Sequence, residues 1–226
     1  MKSIWVIQHT EAEYLGLMED HLEGRNLRFR YLRPFAAGGR VPESPAGADG
    51  LILLGGGPYG VVSGHILPSL GPELRLARAA LAAGLPVVGF GLGALVLCVA
   101  GGGGAAEAPL RFTVEAAEIV NWEDAAPQHM PLACYLRDAP LPGPSMRTIA
   151  RGPEGQVLGF TAGGKSLGFL GHPGMKRGMA EDLVMEFAET PEDTLTGLAA
   201  LNRHQIAIAE ALGPFMTALV RHCAWM

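Results

Sequence analysis

Three glycines at alternate positions, Gly89-Phe90-Gly91-Leu92-Gly93, follow one apolar run and open another. A buried strand, a sharp turn and a helix at that spacing form a nucleophile elbow, where a Ser or Cys between two glycines is aimed at substrate from a strained turn. Here the middle position is Gly91, which has neither thiol nor hydroxyl. Loss of a triad nucleophile costs on the order of 10⁶-fold in rate, because nothing else serves as the covalent acceptor. Glycine also adopts such a conformation without the strain of about 1–3 kcal/mol that a side chain would carry. The other chemistry-bearing candidates are His172 and Cys98. His172 lies in Phe169-Leu170-Gly171-His172-Pro173-Gly174 and reads as a base at a strand end, or as a structural cap of that strand. Cys98 lies about two helical turns past the elbow and reads as a small core hydrophobe before a substitute nucleophile. Tyr59 and His65 follow Leu54-Gly55-Gly56-Gly57-Pro58, where they would either line a pocket mouth or stand exposed on a loop. A dinucleotide fingerprint is met only loosely, as Gly89-x-Gly91-x-x-Ala94, and Glu107 at its acidic position falls in a Gly/Ala-rich loop.

These residues need a frame. Residues 3–8 form a buried strand by composition, and residues 11–23 carry Tyr14, Leu15, Leu17, Met18 and Leu22 at helical spacing up to Gly24. Residues 27–32 alternate apolar and Arg positions as a strand with one wetter face. Residues 34–48 are a Pro/Gly-rich loop, and residues 50–54 an apolar strand. Residues 72–83 have Pro in the first turn, acid early and Gly84 at the end, which predicts a helix. Residues 86–90 and the elbow complete a series of strands alternating with helices, the signature of parallel βαβ units. Ligands of such sheets sit at the carboxyl ends of the strands, where the glycine-rich turns fall. Residues 101–104 are a flexible break, 112–120 a strand, and 121–144 a proline-rich loop. Residues 146–151, 157–161 and 167–170 predict antiparallel hairpins. Helices are expected over 179–188, 198–212 and 215–225, with a break at Gly213-Pro214. Trp122 reads as a packing residue before a binding anchor. The amphipathic C-terminal stretch either completes the core or offers a contact to a second copy or another partner.

Taken together, Leu54-Gly55-Gly56-Gly57-Pro58, Gly89-Phe90-Gly91-Leu92-Gly93 and Phe169-Leu170-Gly171-His172-Pro173 resemble the class I glutamine amidotransferases, in particular the glutaminase part of GMP synthase. The resemblance spans nearly the whole chain. It implies an α/β fold, a three-layer, mostly parallel flavodoxin-like sheet flanked by helices with a small antiparallel segment, as a single domain over residues 1–226. In that family a Cys attacks the glutamine amide, a His deprotonates it and a Glu two residues later orients the His. Carried over by position, the Cys falls on Gly91, the His on His172 and the Glu on Gly174. The oxyanion-hole amides fall near Gly56, Gly57 and Leu92, and a polar pair that helps hold glutamine falls on Ala94 and Leu95. The resemblance thus implies the scaffold of an amidotransferase with one triad member of three, a vestigial base at His172 and no glutaminase activity. What it leaves is a binding, regulatory or partner subunit, docked on a synthase-like protein or forming a homodimer. Altered chemistry is the alternative, with His172 as base and the glycine-turn amides as oxyanion hole.

Composition fits this reading. With 226 residues, 49% hydrophobic and 17% charged, the chain can bury a sizeable core. A net charge of −5 leaves no footprint for nucleic acid. No apolar run has the length of a membrane span, and the N-terminus enters a strand without a signal-peptide pattern. Three widely spaced cysteines, Cys98, Cys134 and Cys223, suggest neither disulfides nor a metal site, which suits the cytoplasm. No cofactor is implied.

Overall fold

The computed structural model describes residues 1–226. Its centre is a parallel sheet of β1 (Ser3–Ile7), β2 (Arg28–Leu32), β3 (Gly50–Leu53) and β4 (Val87–Phe90). Every residue of β3 and β4, and all of β1 past Ser3, is buried, so these strands are continuous apolar runs rather than alternating ones. Between them run α1 (Met18–Glu23) and α2 (Leu70–Ala82), and α3 (Leu92–Ala100) follows the elbow. Right-handed crossovers place α1 on one face of the sheet and α2 with α3 on the other. Residues Leu92 through Cys98 of α3 are buried on every side, as a helix apolar all round must be.

The sheet continues beyond its parallel part. After the short β5 (Gly104–Ala106) come β6 (Arg111–Ile119), β7 (His129–Leu136), β8 (Ala139–Leu141), β9 (Thr148–Arg151), β10 (Val157–Thr161) and β11 (Leu167–Phe169). The nine-stranded order is β2-β1-β3-β4-β11-β10-β9-β6-β7, with β5 and β8 paired apart. β11 lies parallel to β4, while β10, β9, β6 and β7 pair antiparallel. The α/β class is as expected from the sequence. Two helices, α4 (Arg177–Glu186) and α5 (Thr194–His222), end the chain.

Three expectations are corrected. The stretch 121–144 is not a loop, because it holds β7 and β8. Pro131 is tolerated in β7 because that strand is the sheet's edge, laddered only with β6 apart from a single bridge from Ala133 to His172, with Pro131 opposite Ala116. The helix over 11–23 shrinks to Met18–Glu23, since Gly16 takes a φ of +61° and sits where a Cβ would be 2.3 Å from the Gly174 carbonyl oxygen. The break at Gly213-Pro214 is absent, and α5 runs through Pro214. Phe215, Met216, Leu219 and Val220 are buried there, and this packing outweighs the helix-breaking cost of proline. The C-terminal stretch therefore completes the core. Trp122 is a packing residue, its ring 5.5 Å from Phe169 and 5.6 Å from Phe215. The two sheet edges differ in kind: β2 exposes Arg28 and Arg30, and β7 carries Pro131. No helix is long and apolar enough to cross a membrane.

Candidate functional site

The carboxyl ends of β1, β3, β4 and β11 converge on one region. Gly91 forms the elbow between β4 and α3 with φ +54° and ψ −121°, a conformation that favours glycine as the first central residue of a type II′ turn does. Its amide donates to the Phe169 carbonyl at 2.9 Å, which ties the elbow to β11. Gly89 and Gly93 let strand and helix touch: a Cβ on Gly93 would lie 2.1 Å from the Leu53 carbonyl oxygen, and one on Gly89 would lie 2.6 Å from the Ala94 Cα. Ala94 and Leu95 are wholly buried. The turn after β3 reaches the same place. Gly57 has φ +54°, and the Leu92 side chain lies over Gly56, 2.3 Å from where a Cβ would be.

The sequence gives no hint of what occupies this turn. The Glu13 carboxyl, 2% exposed as a residue, reaches in from the segment after β1. Its Oε2 accepts the Gly57 amide at 3.2 Å, and Oε1 lies 3.9 Å from the position of a Cβ on Gly91. Burial pushes this carboxyl up to about 7, against the lowering effects of the Gly57 amide and the neighbouring His9. Two anchors hold the segment. Glu13's own amide donates to Thr10 Oγ1 at 3.0 Å, and the Glu186 carboxylate of α4 accepts the Glu11 and Ala12 amides, each at 3.0 Å.

Beside Glu13 stands a second buried pair. His9 Nδ1–H donates to the Gly55 carbonyl at 2.9 Å, and Nε2 lies 2.8 Å from Glu73 Oε2, with neither side chain exposed. Burial depresses the imidazole, but Glu73, with smaller contributions from the Gly55 carbonyl and Glu13, outweighs it and raises His9 above its ordinary value. Ser69 Oγ donates to the other Glu73 oxygen. The polar run Gln8-His9-Thr10, straight after an apolar strand, is the one signal from which these groups could have been picked.

His172 is also here, but its ring is spoken for. Its Nε2–H donates to the Tyr14 carbonyl at 2.7 Å, and Nδ1 accepts the Gly174 amide at 3.1 Å. Phe90 packs against the ring at 6.0 Å between centroids. Burial lowers it to about 4, so the imidazole is neutral. Position 174 is crowded: a Cβ on Gly174 would lie 3.1 Å from Met18 Cγ and 3.3 Å from the Leu17 nitrogen. The Tyr135 hydroxyl is buried without a hydrogen-bond partner, and burial raises its pKa, with the Glu13 charge adding to the effect.

The remaining candidates disperse. Cys98 lies inside α3 with Sγ 4.0 Å from Met146 Sδ, and burial raises its thiol, so the substitute-nucleophile reading is set aside. His65 is exposed, and its carbonyl accepts the Gly60 amide at 2.9 Å. Tyr59 stacks edge-on against Phe187 at 5.6 Å and lines a cavity between the ends of β1 and β3 rather than the elbow. The 58–66 loop is fastened by Arg137, whose Nε donates to the Pro58 carbonyl at 2.6 Å, and by Asp138, which accepts the Val61 and Val62 amides at 2.8 and 3.0 Å.

No protein-family model matches the sequence, and no curated protein matches it. Solved structures do. A glutamine amidotransferase from Thermotoga maritima is 20% identical over 98% of each chain, with a TM-score of 0.79. A glutamine amidotransferase from Methylobacillus flagellatus is also 20% identical, over 98% of this chain and 95% of its own, with a TM-score of 0.80. A chain of PurLQS from Thermotoga maritima is 14% identical over 90% of this chain and 98% of its own, with a TM-score of 0.56. At these identities the likeness is one of fold, and it is the fold of glutamine amidotransferases.

Proposed function

We propose that this chain is a single glutamine amidotransferase-like domain without glutaminase activity, serving as a binding, regulatory or partner subunit in the cytoplasm. One observation carries the reading. The Gly57 amide, which would stabilise an oxyanion, already donates to the chain's own Glu13 carboxyl, beside an elbow residue with no reactive atom. A tetrahedral intermediate would have to displace a buried acid to reach that donor. The fold shared with glutamine amidotransferases supports the scaffold half of the proposal. A synthase-like partner is proposed from the resemblance to the glutaminase part of GMP synthase, and a homodimer is the other assembly to test.

Glutamate and ammonia release from glutamine by the purified chain is the direct experiment. The expected result is no turnover above a heat-treated control, for the natural sequence and for Gly91→Cys alike. The variant restores a thiol, but both His172 ring nitrogens are held by backbone groups, so His172 cannot serve as its base, and Glu13 occupies the Gly57 amide that would meet the oxyanion. Turnover that disappears in Glu13→Gln would overturn the inactive reading. It would favour altered chemistry, with Glu13 rather than His172 as the proton acceptor, since Glu13 alone of the two sits near neutrality, at about 7.

A further inference from the structure

The sheet reverses its order between β1 and β3. From β1 the chain moves out to β2, then returns to the other side as β3 and continues to β4. Loops leaving β1 and β3 therefore diverge, and open α/β sheets bind their ligands in the crevice so formed. A cavity of about 310 Å³ occupies this place, a volume within the range of small-molecule sites. His9, at the end of β1, lines it, with Phe35 and Arg40 from the loop after β2 and Tyr59 and Ser69 from the loop after β3. Its remaining walls are mainly prolines and aliphatic side chains.

A wider cleft of about 1070 Å³ adjoins it and shares Arg40, Val41 and Pro72. Arg30 and Arg75 line this second compartment, and the Arg30 guanidinium lies 4.4 Å from the centre of the Trp5 ring. None of Arg30, Arg40 and Arg75 has an ion pair or a side-chain hydrogen bond, and Glu43 is the one acidic residue on the cleft wall. Three uncompensated cations in a cleft, on a chain of net charge −5, focus a positive field at that spot. In the adjoining cavity, His9 is already engaged, its Nε2 2.8 Å from Glu73 Oε2.

We propose that this double cleft binds a phosphorylated nucleoside. The planar ring enters the apolar compartment against Phe35 and Tyr59, and the phosphates meet Arg40 between the compartments and Arg30 and Arg75 beyond it. Guanidinium groups suit this task because their planar fork pairs with two phosphate oxygens at once. The site is separate from the elbow, and the inference stands whether or not the chain hydrolyses glutamine.

Isothermal titration of the full chain with ADP, adenosine and inorganic phosphate tests it, alongside Trp5 fluorescence. Saturable ADP binding is expected, about tenfold tighter than that of adenosine or phosphate alone, and falling as salt rises. Arg40→Ala should weaken ADP at least tenfold, while Arg203→Ala, an exposed arginine on α5, should leave it unchanged. Phosphate binding as tight as ADP would overturn the nucleoside assignment. ADP binding indifferent to Arg40→Ala, or no saturation with any probe, would overturn the site.

Discussion

The elbow after β4 and the cleft between β1 and β3 are neighbours at the same end of one sheet and share the glycine-rich turn after β3. They are finished differently. At the elbow the chain fills its own space: Glu13 takes the Gly57 amide, backbone groups take both nitrogens of His172, and Leu92 covers Gly56. In the cleft, Arg30, Arg40 and Arg75 are exposed and without ion pairs, Arg30 resting only on the Trp5 ring, and Phe35 is 41% exposed. Groups satisfied internally stabilise the fold and bind nothing else. Groups left unsatisfied at an accessible surface contribute little to folding and remain free to meet a ligand. The contrast is the reason the proposed binding site lies in the cleft and not at the elbow.

Substitutions should break the two regions unequally. Gly93→Ala places a methyl carbon 2.1 Å from the Leu53 carbonyl oxygen, so strand and helix must part. A loss of about 3 kcal/mol or more is expected in urea melts. On the cleft side, Gly38→Ala meets nothing within 4 Å and should cost only the roughly 1 kcal/mol of its +75° φ.

Protonation provides the next test. Glu13 holds its proton more tightly in the folded chain than in the unfolded one. Its contribution to stability is therefore full below about pH 4.5 and lost as pH rises through about 7. The size of that change is on the order of 3 kcal/mol. His172 runs the other way. Buried as a neutral ring, it contributes fully above pH 6.5 and loses that contribution as pH falls toward about 4. The two slopes oppose one another in the natural chain. Glu13→Gln should unmask the His172 slope, so that melts of the variant show stability rising from pH 4 to 6.5.

A smaller effect is expected at the 58–66 loop, which carries Tyr59. Asp138→Ala frees the Val61 and Val62 amides and should cost about 1–2 kcal/mol, with faster amide exchange confined to residues 58–66. Arg40→Ala should be the mildest of all, within about 0.5 kcal/mol in stability, because that side chain touches no partner. A large loss there would mean that the cleft, like the elbow, is internally satisfied.

The parallel half of the fold was legible because its strands are buried on both faces and read as unbroken apolar runs, punctuated by Gly24, Gly84 and the elbow glycines. The antiparallel half was legible only where turns marked it. β7 was hidden by Pro131, whose tolerance depends on lying at the edge, a fact of tertiary order that local composition does not hold. The continuity of α5 through Pro214 was hidden for the same reason. At the site, Gly56, Gly57, Gly91 and His172 were found at neighbouring strand ends. Glu13 was missed because residues 11–23 carry a helical period, and a helix would have spent Glu13 as an ordinary surface acid. His9 and Glu73 were missed because they are 64 positions apart, with no spacing rule to join them.

The two outer strands bear on how copies of this molecule can meet. β2 presents Arg28 and Arg30 outward, and β7 interrupts its free ladder with Pro131, which has no amide proton to offer. One end of the sheet thus repels its own duplicate and the other cannot be zipped along its full length. Continuous β-pairing from molecule to molecule is disfavoured at both ends, which guards against fibrils.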